Sequence, residues 1–223
     1  MNFLAHAHLS ANTENLLLGN MIADAVKGKV FYNFPFGVQQ GILEHRKIDT
    51  FTDNHPRVLH SKQLVKETLG RYSGVAVDIY YDHFLAARWN DFSLIDLADF
   101  TTDVYQLLGN SWAILPARTR RMFPYMVAQN WLNSYANPNE LERVFYGMDR
   151  RTAHKSGLRI AMTPLMKNYD ALQDDFLDFY PHLQEYVNDE RENIQDSIPS
   201  SAMLLTRLMP SEKMKGTIVS RSD

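Results

Sequence analysis

Gly41–Pro56, GILEHRKIDTFTDNHP, is the stretch from which the chain is best read. If it is helical to about Asn54, a 3.6-residue period stacks His45, Asp49 and Asp53 one turn apart on a single face. Ile42, Ile48 and Phe51 then lie on other arcs and face a core. Carboxylates stacked this way repel by about 0.2–0.5 kcal/mol per pair in water, and by more where water is excluded. A cation beside them would relieve that repulsion. His55 precedes Pro56, which disfavours helical geometry at His55 and ends the element there.

Gly74–Ala86, GVAVDIYYDHFLA, repeats the chemistry: Asp78 and Asp82 are four apart and His83 adjoins Asp82. Two such ladders point to one shared metal site. The bland alternative is that Arg46, Lys47 and Arg57 neutralise the acids as ordinary helix ion pairs, which are weak.

Outward from these ladders the apolar spacing is mostly three and four, and no Asn-Gly or Asp-Gly turn joins two alternating runs. The chain is therefore predicted to be all-α, a single compact multi-helix domain over residues 1–196. A helical C-terminal extension leads into a mobile tail, 197–223, where apolar residues thin out. Phe3, Leu4 and Leu9 open the chain, with His6 and His8 alternating with alanines. Ser10 to Thr13 offers caps for a helix that carries Asp24 and closes at Gly28. Met21, Ile22, Ala23, Ala25 and Val26 surround Asp24 in sequence, so it reads as a buried carboxylate in need of a partner. VFYNFPFG forms an aromatic loop, and a helix begins at Phe36. Further helices are expected from Pro56 to about Arg71, over 73–90, 94–108 and 116–136, and from Pro138 to Arg151. A long acidic one covers 168–193, interrupted before Pro181.

The 223 residues suffice for a substantial core, and a net charge of −3 carries no global nucleic-acid signature. Cysteine is absent, which excludes disulfides, thiolate catalysis and cysteine-ligated zinc. Any metal must sit among His, Asp and Glu, a mixed nitrogen and oxygen set that suits manganese, iron or zinc. There is no P-loop and no nucleophile elbow; Ser73 beside Gly74 reads as a helix cap. No window is apolar enough for a membrane span, and a cytoplasmic protein is expected.

Four segments, MNFLAHAHLS, LLGNMIADAVKG, GILEHRKIDTFTDNHP and GVAVDIYYDHFLAARW, together resemble the acyl carrier protein phosphodiesterase family. The resemblance covers most of the chain in order and weakens after about Asn193. It implies a relative of the HD phosphatase/phosphodiesterase superfamily, an all-helical fold with a His/Asp metal site. The implied reaction removes 4′-phosphopantetheine from holo acyl carrier protein, with a divalent cation, typically manganese, as cofactor. The usual HD order of an adjacent His-Asp pair is reversed here as Asp82-His83. On this basis Asp24, His45, Asp82 and His83 are the first candidate ligands. Asp49 and Asp78 are catalytic candidates, and His8, Asp53 and His55 supporting ones. Arg46 and Lys27 lie within a turn of a candidate ligand and could contact phosphate. Carriers in this family are acidic, so Arg118, Arg120, Arg121, Arg150 and Arg151 are candidates for a basic docking surface. The same cluster would also serve a hydrolase of nucleotides or other small phosphoesters, and a non-catalytic helical binding module is the remaining reading.

Overall fold

The computed structural model describes residues 1–11 and 13–196. Among them are eleven α-helices, six short 3-10 turns and no strand. In chain order the helices are α1 (Phe3–Leu9), α2 (Glu14–Ile22), α3 (Phe36–Asn54), α4 (Pro56–Leu69), α5 (Ser73–Ala87) and α6 (Leu97–Asn110). There follow α7 (Ala117–Ala128), α8 (Trp131–Ser134), α9 (Pro138–Arg151), α10 (Met162–Lys167) and α11 (Tyr169–Asp196). Residues Met1–Val187 form one compact unit; Asn188–Asp196, the last turns of α11, belong to a second. The tail expected over 197–223 lies outside the described residues. No described helix is long and apolar enough to cross a membrane.

Local signals account for most boundaries. The Thr13 hydroxyl accepts the Leu16 N–H at the start of α2, and Asp96 does the same for Ala98 at the start of α6. Pro56 and Pro138 occupy first-turn positions, where a missing N–H costs nothing. Several boundaries differ from the sequence expectation, among them that of α2, which ends at Ile22 rather than Gly28. The 116–136 segment breaks after Ala128, where Asn130 adopts left-handed geometry with φ 45°. Conversely α11 runs unbroken through Pro181, because Phe179, Tyr180 and Leu183 are fully buried and hold both sides of the proline against the core.

Helix α5 is the central element. Its residues Ala76, Val77, Tyr80, Tyr81, Asp82, Phe84 and Leu85 are all fully buried, with α1 and α4 packed against it. Helices α2 and α3 meet backbone to backbone. A Cβ on Gly19 would lie 2.2 Å from the Val38 carbonyl oxygen, and one on Gly41 2.2 Å from that of Leu16. Only glycine permits this approach, and it brings the end of α2 against the middle of α3.

Candidate metal centre

Where α1, α2 and α3 converge, two imidazoles stack face to face. The rings of His6 and His45 have centroids 3.9 Å apart and planes inclined by 19°. Both are buried. The Oδ1 of Asn20 accepts from both Nδ1–H groups, at 2.8 Å from His6 and 3.1 Å from His45. The amide is oriented by its other end: Asn20 Nδ2 donates to Glu44 Oε1 at 3.1 Å and to the Ser10 hydroxyl. A carboxylate only accepts, so the amide nitrogen must face Glu44 and the oxygen must face the histidines. Ser10 in turn donates to the His6 carbonyl at 2.8 Å. One buried asparagine thus holds both rings in the same tautomer, with both Nε2 atoms aimed the same way.

They are aimed at carboxylates. Asp49 Oδ1 lies 3.1 Å from His6 Nε2 and its Oδ2 lies 3.2 Å from His45 Nε2, while Asp24 Oδ1 is 3.4 Å from His45 Nε2. A neutral Nε2 offers only a lone pair, which repels a carboxylate unless a proton or a cation lies between them. Burial works hardest against a proton on either ring. At His45 the hydrogen bonds to Asp24 and Asp49 overcome it and raise the pKa to about 9. At His6 burial prevails, aided by the neighbouring His45, and the pKa falls to about 4. Burial favours protonation of Asp49, yet its bonds to His45 and His6 hold it well below the usual carboxylate range; Asp24 is lowered chiefly by its bond to His45. His6, His45 and Asp49 offer ligand atoms all within 4.8 Å of one another, a spacing that could hold a metal ion.

The structure brings together Asp24, His45 and Asp49 of the sequence candidates, with Asp78 nearby. Asp78 Oδ1 is 3.1 Å from the Met1 ammonium, which also stands 4.0 Å from Asp49 Oδ1. Asp24 is not the buried carboxylate expected from its apolar neighbours. Helix α2 ends at Ile22 and tightens into a 3-10 turn, Ala23–Ala25, which rotates Asp24 outward and leaves its side chain 64% exposed.

Asp82 and His83 are placed elsewhere. The N-cap of α1, Asn2, makes no side-chain capping bond; instead Asp82 reaches from α5 and accepts the N–H groups of Leu4 at 2.8 Å and Ala5 at 3.2 Å. This fully buried carboxylate caps α1 and so fixes the helix that carries His6. Burial pushes its pKa up to about 7. His83 Nδ1 donates to the Tyr135 carbonyl at 2.7 Å and its Nε2 accepts from the Tyr169 hydroxyl at 3.0 Å, so both nitrogens are engaged away from the centre. His8 lies between the Tyr180 hydroxyl and the Phe92 carbonyl, and His55 accepts the Arg57 N–H at the start of α4. Asp53, third on the α3 ladder, pairs with Lys62 at 2.7 Å.

Arg46 Nη2 donates to the carbonyls of Val26 and Gly28 at 3.0 and 3.1 Å, bracing the loop that follows α2, whereas Lys27 between them is exposed. Arg57 pairs with Asp178 at 2.6 Å and lies 3.7 Å from Asp175, not with the ladder. Arg118, Arg120 and Arg121 are exposed on α7, which packs beside the Ala23–Ala25 turn. Arg150 and Arg151 line a separate cleft of about 1100 Å³ between α8 and α9, with Arg151 over the Trp131 ring at 5.0 Å.

The two members that sequence reasoning passed over are His6 and Asn20. His6 is flanked by Ala5 and Ala7, small residues that leave room for a partner helix. Asn20 is the sole polar residue in LLLGNMI, a run otherwise built for burial.

Set against known proteins, residues 1–183 match a sequence model described as acyl carrier protein phosphodiesterase. The chain belongs to the acyl carrier protein phosphodiesterase family. A relative of that name from Enterobacter sp. (strain 638) is 33% identical over 184 residues, covering 82% of this chain and 95% of the relative. One from Escherichia coli O6:H1 is 34% identical over 189 residues, covering 84% and 98%, and one from Serratia proteamaculans is 31% identical over 192 residues, covering 86% and 100%. No solved structure matches. Every side chain of the His6/His45 centre lies inside the region that the family covers.

Proposed function

We propose that this member of the family is a metal-dependent phosphodiesterase that hydrolyses the bond between 4′-phosphopantetheine and a serine of holo acyl carrier protein. The relatives' name supplies the substrate. The observation that carries the metal dependence is the pair of stacked imidazoles, both fixed at Nδ1 by Asn20, that converge with Asp49 through their Nε2 atoms.

The donor set is two imidazole nitrogens and a carboxylate, with Asp24 at the open edge. That mixture suits a borderline divalent cation, and manganese is our assignment. The cation would supply a lowered pKa for water and charge neutralisation at the phosphodiester. The chain's own groups do the rest. Asp24, exposed yet within reach of His45, would accept the proton of the attacking water, and Asp78 is linked to Asp49 through the Met1 ammonium. Lys27, three residues beyond Asp24, takes the phosphate contact, since Arg46 is occupied by the loop carbonyls. Water adds across the bond from phosphorus to the serine oxygen. Phosphopantetheine leaves with the phosphate and the serine regains its proton. Arg118, Arg120 and Arg121 lie on the helix beside the Asp24 turn, where they would steer an acidic carrier. We keep Arg150 and Arg151 as a more distant part of that field.

The test is to incubate metal-stripped protein with holo carrier, with and without Mn²⁺, and to follow the carrier by mass spectrometry. Loss of the prosthetic group only with Mn²⁺ is expected. His6→Ala, His45→Ala and Asp49→Asn should each abolish tight Mn²⁺ binding, whereas His83→Phe should leave it within about threefold of wild type. An intact carrier in the presence of bound Mn²⁺ would refute the substrate assignment.

A further inference from the structure

The aromatic loop between α2 and α3 exposes large apolar side chains beside the centre. Val30 is 55% exposed, Tyr32 63% and Phe36 70%. They alternate with anchored neighbours: Phe31 is buried and Phe34 packs against the core. The segment is not loose. Arg46 holds the Val26 and Gly28 carbonyls and its guanidinium lies 5.2 Å from the Phe31 ring centroid. Gln39 Nε2 donates to the Phe34 carbonyl at 2.8 Å and to that of Tyr32 at 3.4 Å, and the Phe31 and Tyr32 rings stack at 4.2 Å. Two polar side chains from α3 are thus spent on fixing a loop whose apolar groups face water. Ordering an apolar surface in advance makes physical sense when a partner covers it, because the entropy of ordering is then not lost on binding.

The location says which partner. Arg46, which braces the loop, directly follows His45, and Gly28, where the loop begins, is four residues after Asp24, whose Oδ1 lies 3.4 Å from His45 Nε2. Even fully extended, four residues span at most about 14 Å. A standard interface covers about 800 Å² of each protein, a disc roughly 16 Å in radius. A protein whose surface serine reaches the centre therefore extends over the start of this loop.

We propose that the Gly28–Phe36 loop is the docking element for the carrier protein, with Val30, Tyr32 and Phe36 as its apolar contacts and exposed Lys29 at its rim. This rests on the phosphodiesterase reading above. The surface fits a folded protein whose modified serine is bordered by an apolar patch with acidic residues beside it.

The experiment compares wild type with the triple variant Val30→Ser, Tyr32→Ser, Phe36→Ser, with Mn²⁺ bound and circular dichroism confirming the fold. Three readouts are taken: kcat/KM on holo carrier, kcat/KM on bis(4-nitrophenyl) phosphate, and binding of apo carrier, which has no phosphate, by biolayer interferometry. The expected result is a loss of at least about tenfold in carrier turnover and in apo carrier binding, with the small diester unchanged. Carrier turnover and binding within about twofold of wild type would overturn the docking assignment, as would an equal loss on both substrates. Wild-type protein that cleaves the small diester but neither binds nor cleaves carrier would instead sink the phosphodiesterase reading, and the docking assignment with it.

Discussion

Replacing Asn20 by alanine isolates the contribution of the residue that orients the centre without touching a ligand atom. The side chain supplies the acceptor for two imidazole N–H groups, at 2.8 and 3.1 Å, and a donor to Glu44 at 3.1 Å. Hydrogen bonds of this kind contribute about 1 kcal/mol each. Losing the two that fix the rings therefore weakens cation binding by about 2 kcal/mol, or about thirtyfold, within the range expected for groups that orient ligands. The protein itself is destabilised as well, since two buried N–H groups lose their acceptor at a cost of about 1–3 kcal/mol each, less whatever water enters the gap, while Glu44 keeps the Ser10 hydroxyl. Mn²⁺ affinity is measured by isothermal titration of metal-stripped protein, after circular dichroism shows that the variant is folded. Aspartate at this position retains an acceptor but loses the donor and sets a second carboxylate against Glu44, so Asn20→Asp should not restore stability. A folded Asn20→Ala variant that binds Mn²⁺ within about threefold of wild type would refute the reasoning, because the rings would then be held by something other than this amide.

Two other outcomes follow from the packing. Gly41→Ala puts a methyl group 2.2 Å from the Leu16 carbonyl oxygen, a backbone atom that cannot rotate aside, so α2 and α3 must separate. Urea unfolding should show a loss near the upper end of the usual overpacking cost, about 3 kcal/mol, with Mn²⁺ affinity falling too; a change below about 0.5 kcal/mol would contradict the backbone contact. Asp82, its pKa raised to about 7 by burial, binds more protons in the folded than in the unfolded protein between about pH 4 and 7. Its contribution to stability therefore falls as pH rises through that window and levels off above it. The stability of wild type minus that of Asp82→Asn, from urea melts across that range, should decline with pH, and a flat difference would show that the carboxylate is not held as described.

Helix boundaries were legible because their causes are local. Proline at 56 and 138, Thr13 as a cap and the turn of apolar residues along α5 act within a few positions of themselves, and they place α3, α4 and α9 nearly to the residue. Spacing within one helix was legible for the same reason, and it set His45 and Asp49 on one face. The limits of that logic show at Asp53, on the same face but paired with Lys62 across the turn into α4, and at Asp24, whose exposure depends on where α2 tightens.

By itself, the sequence determined an all-helical chain, a family, a cysteine-free donor set and one of the two ladders in the centre. Only the tertiary structure decided which groups meet. Periodicity orders residues on a face of one helix but says nothing of the register between helices. Here that register depends on two glycines that let α2 and α3 touch, and on a carboxylate from α5 that caps α1. Those contacts bring His6 and Asn20 to His45, and they assign Asp82 to a helix end and His83 to Tyr135 and Tyr169.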